Sequence, residues 1–391
     1  MRKAVQFGAG NIGRGFAGQL FSESGFEVVF VDVMTELVDL INERRSYPIR
    51  MACDNPWTVT VQNVRAVNGR NVDAVAEEIC TADLMCTAVG VNVLPRIAPT
   101  IAAGIKARAN AGVEAPINII ICENLQHMAA FLITEVKKAL PEELHTYLDE
   151  KVGFVESVVG RMVPVMTEEQ KREDPLLVNV EPYKHLPIAR SAIKGELPEM
   201  VGIEPAGNFQ SYVDRKLYTH NAGHAVAAYL GYLKGYEYIY QAMNDPQVNA
   251  AVRAALAETG EALIKKHGLS PEDHQAHIED LLSRFANVAL GDQVARVGGD
   301  PLRKLSPTDR LVGGAKLALE YGIFPVNLCK AIAAALKFNP PGDPTAPKIQ
   351  EMLRSEGVQG TLEKVSGLSE DSELTQEIVK QYDLVSEEFS S

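Results

Sequence analysis

Ala4-Val5-Gln6-Phe7-Gly8-Ala9-Gly10-Asn11-Ile12-Gly13-Arg14-Gly15-Phe16 is the stretch that decides the fold. Residues 4–7 read as a short apolar strand, the glycines follow at GxGxxG spacing, and residues 16–23 continue as a helix. In that context Gly8 permits the tight turn, Gly10 lets the backbone approach a pyrophosphate, and Gly13 lets helix pack on strand. Ala9, Asn11 and Ile12 complete a loop whose unpaired backbone N–H groups at a helix start suit an anion. Residues 28–31 form the next apolar strand, which ends at Asp32, a carboxylate placed to accept from the adenosine ribose hydroxyls. Its charge disfavours a ribose 2′-phosphate, so the cofactor reads as NAD. Arg14 stays open, able to reach either such a phosphate or the pyrophosphate. An ordinary glycine turn would not bring strand, helix, second strand and terminal acid into register.

Working outward, residues 82–89 and 116–122 are further buried strands, with an alanine-rich helix over 97–109 between them. Ligands bind beyond the carboxyl ends of parallel strands. That puts Val89 and Gly90 beside the cofactor and turns Glu123 and Asn124 toward the nicotinamide, with a local turn or helix cap as the alternative for Asn124. Between 152 and about 205 the chain changes to strand fragments, prolines and charged turns. Residues 153–164 read as extended, and residues 176–181 as pairing with them or with the sheet edge. From about Tyr212 the pattern is helical, over 223–233, 248–267, 271–289 and 308–321. The fold class is α/β: a Rossmann-type dinucleotide-binding domain over residues 1–200, followed by a predominantly α-helical substrate domain over 201–391.

The composition excludes several classes of function. With 391 residues, 46% of them hydrophobic, the chain can bury two cores. No apolar run approaches the ~18 uncharged residues of a membrane span, and Met1 leads into Arg2, Lys3 and a strand, so the reading is a soluble cytoplasmic protein. Cys53, Cys80, Cys86, Cys122 and Cys329 lack metal or disulfide spacing and read as buried free thiols. A net charge of -13 argues against nucleic acid and anionic membrane, leaving a small molecule as partner.

The chemistry concentrates in Lys216-Leu217-Tyr218-Thr219-His220-Asn221-Ala222-Gly223-His224. On an α-helix Lys216, His220 and His224 share a face and Asn221 neighbours it. Alcohol oxidation needs a group to take the hydroxyl proton, donors for the forming carbonyl, and a hydride acceptor. Lys216 can serve as the base, Asn221 as a donor that adds no charge, and His224 as an orienting group. An exposed helical lysine and a satisfied interface histidine remain as rival readings. Zinc is disfavoured, because the HxxxH pair lacks the HExxH glutamate and a third ligand. His267, His274 and His277 lie among Lys265, Lys266 and several acids and read as a solvated helical surface.

These stretches, together with Cys122-Glu123-Asn124, Arg296-Val297-Gly298 and Pro301-Leu302-Arg303-Lys304-Leu305, resemble the polyol-specific long-chain dehydrogenase family over nearly the whole chain. Within it they resemble the mannitol-1-phosphate dehydrogenases. The resemblance implies metal-independent, reversible oxidation of D-mannitol 1-phosphate at C5 by NAD, giving D-fructose 6-phosphate, in a monomer or homodimer. It gives Lys216 the role of general base, Asn221 and Asn124 that of oxyanion donors, and His224 that of positioning substrate. Gly160 departs from the family, which has an aspartate before the arginine matching Arg161, and so does His220, where leucine is usual. A sugar phosphate needs fixed positive charge, which Arg296, Arg303 and Lys304 are expected to supply. A cluster of surface salt bridges is the competing reading of that segment.

Overall fold

The apolar runs of the first half become six parallel strands: β1 (Arg2–Phe7), β2 (Phe26–Asp32), β3 (Val64–Asn68), β4 (Leu84–Thr87), β5 (Ile117–Ile121) and β6 (Val152–Glu156). The computed structural model describes residues 1–123, 127–164 and 166–389. The sheet order is β3-β2-β1-β4-β5-β6, with the reversal between β1 and β4, the point at which a doubly wound sheet opens a ligand crevice. Side chains alternate between two buried faces, which is why these strands read as near-continuous hydrophobic runs. Val5, Phe7, Val29, Val31 and Ile119 pack under α1 (Val72–Cys80), α2 (Leu94–Asn110) and α3 (Met128–Ala139). Ala4, Val28, Phe30 and Ile120 pack on the opposite face with Phe16, Leu20, Val38 and Ile41.

The stretch after β6 differs from its sequence reading. Val178–Val180 pairs not with the main sheet but in parallel with Ser46–Met51, which pairs antiparallel with Thr58–Gln62, while Glu181 N donates to Met162 O at 3.2 Å. Arg161 explains the anchoring. Its buried guanidinium donates to Glu181 O (2.8 Å), Gly15 O (2.9 Å) and Gln19 Oε1 (2.7 Å), stitching the small sheet to the segment that follows the glycine loop. Burial lowers its pKa to about 10, still charged at neutral pH. Leu186–Ala189 and Ile203–Ala206 form a separate parallel pair.

The chain divides into two compact units, Met1–Phe209 and Gln210–Ser391. The second is helical around α4 (Ala222–Leu233), whose residues from Ala225 to Gly231 are all buried, as befits a helix apolar on every side. α5 (Pro246–His267) and α6 (Pro271–Phe285) begin with proline after a capping residue: Asp245 accepts from Gln247 N and Val248 N, and Ser270 from Asp273 N. Gly268 ends α5 in the left-handed conformation at φ 64°. α7 (Val312–Glu320) and α8 (Val326–Lys337) complete the core of this unit. Among the described residues no helix is long and apolar enough to cross a membrane.

Candidate active site

The glycine loop is built by steric necessity. Gly8 has φ 88°, and a Cβ there would lie 2.5 Å from Ala88 O. At Gly13 a Cβ would lie 1.9 Å from Gly8 O, whereas around Gly10 nothing lies within 4 Å. Gly10 and Asn11 are exposed at the loop tip and Ile12 is half-buried against the core. Where sequence predicts a regular helix, Gly13–Gly18 forms a π-helical turn before Gln19–Glu23. Its glycines admit neighbours to the backbone: a Cβ at Gly15 would meet Val178 and Val180 methyls at 2.8 and 2.9 Å, and one at Gly18 would meet Tyr47 Oη at 2.6 Å.

Asp32 is fastened to this loop. Its Oδ2 accepts from Ala9 N at 2.8 Å and its Oδ1 from Met34 N at 3.0 Å, leaving one acceptor position on each oxygen. Arg14 is buried and turned inward, donating through Nε to Ala9 O (2.7 Å) and through Nη1 to Leu176 O, so it braces the loop. Desolvation lowers its pKa. Gly90 has φ 88° with open space around it. Glu123 does not face outward. Buried, it takes Thr87 Oγ1 at 2.6 Å on one oxygen and Val89 N at 2.9 Å on the other, clamping the end of β4 to the end of β5. Asn124 lies outside the described residues.

In the second unit the lysine stretch is a π-helical turn, Lys216–Asn221, between the helix Phe209–Arg215 and α4. Such turns are single wide loops of i→i+5 bonding and recur at functional sites. Width changes the expected register. The wider turn brings position 221 nearer the 216 face than α-helical spacing would, with position 220 still beside it. Lys216 and Asn221 are half-buried; Thr219 and His220 are buried. His220 meets Phe285 edge-on at 5.7 Å, and burial, then Lys216 and Arg284, hold it neutral, far below its ordinary pKa. His224 stacks flat on Phe285 at 4.6 Å, and its Nε2 lies 3.3 Å from Asp292 Oδ2. Desolvation lowers the His224 pKa despite that acid.

The other histidines correct the surface reading. His274 is 2% exposed with both ring nitrogens buried and unpartnered, because it shares the inward register of α6 with Ile278, Leu281 and Phe285. Desolvation, then Arg215, lowers its pKa to about 4, and that of the half-buried His277 to about 3. His267 pairs with Asp214 at 2.8 Å.

The basic segment is matched in space by acids. Arg296 pairs with Asp292, and Arg303 with Asp300 (3.0 Å) and Asp309 (3.2 Å). Lys304 is buried and donates to Gly299 O; desolvation, then Arg310 and Arg303, lowers its pKa to about 7. A Cβ at Gly160 would approach Tyr183 Cε1 to 3.0 Å, so that ring lies where a side chain at 160 would begin. Among the described residues no group of three or more His, Cys, Asp or Glu is placed to hold a metal ion. Sequence reading missed Asp292, whose only signal was its i,i+4 spacing to Arg296.

Two family models match the chain: the mannitol dehydrogenase Rossmann domain over residues 2–202 and the mannitol dehydrogenase C-terminal domain over residues 208–386. Among solved structures, a substrate-free D-sorbitol dehydrogenase matches with a TM-score of 0.84 at 17% identity, covering 99% of this chain and 95% of that one. Pseudomonas fluorescens mannitol 2-dehydrogenase, in ternary complex with NAD and D-mannitol, matches with a TM-score of 0.75 at 17% identity, covering 99% and 93%. At that identity the two structures speak for the fold, a Rossmann-like domain followed by a largely helical one. The narrower expectation, a mannitol-1-phosphate 5-dehydrogenase acting between D-mannitol 1-phosphate and D-fructose 6-phosphate, is corrected: both family models are of mannitol dehydrogenase, and these two structures are a D-sorbitol dehydrogenase and a mannitol 2-dehydrogenase. Arg296 and Arg303 are paired with neighbouring acids and Lys304 with a backbone carbonyl. Both halves of the chain thus belong to one family, and the protein is a member of the mannitol dehydrogenase family.

Proposed function

We propose that the protein catalyses reversible, NAD-dependent oxidation of an unphosphorylated polyol of the mannitol or sorbitol type. NAD is the cofactor; the loop Gly8-Ala9-Gly10-Asn11-Ile12-Gly13 receives its pyrophosphate, the remaining lone pairs of Asp32 its ribose hydroxyls, and Val89 and Gly90 its nicotinamide half. Lys216, as the neutral amine, takes the hydroxyl proton while the carbinol hydride passes to the nicotinamide, leaving a ketone and NADH. Asn221 donates to the oxygen as its charge develops, with Asn124 as the second carboxamide. His224 holds the substrate's orientation. The observation that supports this reading is that a single π-helical turn carries both the Lys216 amine and the Asn221 carboxamide.

Five unpaired thiols, three of them buried, suit a reducing cytoplasm. The reading requires one chain per site, in a monomer or a homodimer. The test is NADH formation by the purified protein with NAD and D-mannitol or D-sorbitol, with D-mannitol 1-phosphate as comparator. Polyol-dependent NADH is the expected result. Silence on every unphosphorylated polyol, or turnover confined to the phosphate ester, overturns the proposal.

A further inference from the structure

Asp292 is a buried carboxylate that the chemistry above does not use, and it joins two groups of the candidate site. Its Oδ1 accepts from Arg296 Nη2, while its Oδ2 lies 3.3 Å from His224 Nε2. The backbone around it is fixed. Asp292 O accepts from Ile239 N at 2.8 Å, Val294 N donates to Glu237 O at 2.8 Å, and Gln293 bridges to Tyr238. The carboxylate therefore reaches His224 from a rigid anchor. Phe285, stacked 10° from parallel on the imidazole, fixes the plane of the ring.

The electrostatics give this contact a direction. Burial raises the Asp292 carboxyl pKa, but His224 and Arg296 outweigh it and the group stays anionic. Desolvation keeps His224 neutral. A neutral imidazole carries one N–H, and a lone pair aimed at a carboxylate would be repelled, so the proton belongs on the nitrogen facing Asp292. The contact is long and its alignment falls short of a proper hydrogen bond, as often holds before substrate closes a site.

We propose that Asp292 is a positioning residue that fixes His224 as its Nε2–H tautomer, leaving Nδ1 to accept a hydrogen bond from a substrate hydroxyl. His224 then selects for a hydroxyl donor at the neighbouring carbon and cannot serve an ether, ester or deoxy position in its place. The inference rests on the polyol reading for its kinetic consequence, while the tautomer stands apart from it.

Two measurements test it on the full chain. Histidine 15N–1H correlation spectra, with the His224 signal assigned by His224→Gln, are expected to show a protonated Nε2 and an unprotonated Nδ1. A protonated Nδ1 in the unmodified protein overturns the proposal, whatever the variants do. In polyol oxidation, Asp292→Asn is expected to lower kcat on the order of tenfold with KM for NAD unchanged. Combined with His224→Ala it should cost little more than His224→Ala alone. Additive losses, or a higher KM for NAD, point to a structural role and overturn it. Failure to oxidise any polyol would remove the functional reading and leave the spectral result to decide the tautomer.

Discussion

Two six-residue π-helical turns, Gly13–Gly18 and Lys216–Asn221, put one backbone device to opposite uses. Every residue of the first is buried, and three of its six are glycines against which Val178, Val180 and Tyr47 close. In the second only Thr219 and His220 are buried, and the wide turn serves its side chains. One therefore makes room for neighbours on the backbone, and the other shifts the register of its side chains. The contrast predicts that substitutions in the first turn act on stability and those in the second on rate.

The strongest challenge to that division is Lys216→Ala. Loss of the positioned base should lower kcat by about 10² to 10⁴ while NAD affinity and the urea midpoint hardly move. A near-normal rate, or a collapse of stability, breaks the comparison from the chemical side. Gly13→Ala probes the other turn. Forcing a methyl against Gly8 O should cost about 1–3 kcal/mol or more and weaken NAD binding, both readable by urea titration with and without NAD. An unchanged midpoint would show that the close approach is not what holds the loop.

The smallest effect is a pH dependence confined to the second unit. In the fold His274 and His277 have pKa values lowered to about 4 and 3, below the ~6.5 of an unfolded histidine. As pH falls below about 6.5 the unfolded chain binds the extra protons first. Their stabilisation is complete above that pH and is lost progressively toward pH 3–4. A progressive fall in the urea midpoint from about pH 6.5 toward pH 4 is expected, with a shallower slope in His274→Phe. A slope equal to that of the unmodified protein assigns the effect to other groups.

Legibility in the sequence followed the range of the interactions. Residues 4–32 could be read because strand, loop, helix and acid lie in one short segment whose spacing is set by sterics within it. The sheet joining Ser46–Met51 to Val178–Val180 could not, since its paired strands lie far apart in the chain. The lysine stretch was legible in its residue types but not in its backbone: an amine and a carboxamide could be named as candidates for base and donor, while α-helical periodicity hid the wide turn that carries them. His274 was misread for another reason. Its spacing to Ile278 and Leu281 marked an inward position, but the charged residues beside it suggested water. Glu123 shows the converse, a polar residue after a strand whose buried carboxylate clamps two strand ends.

The small sheet also carries a consequence for how the protein is made. Ser46–Met51 leaves the ribosome long before Val178–Val180, and until then the edge that will receive that strand has unpaired main-chain groups. Nascent chains of intermediate length therefore hold an incomplete cofactor unit with an open β-edge and no strand packed over Gly15. Contacts of such sequence separation form late, and an open edge in the interim invites pairing with another chain. For this protein the hazardous interval of synthesis ends when residue 180 is free of the exit tunnel.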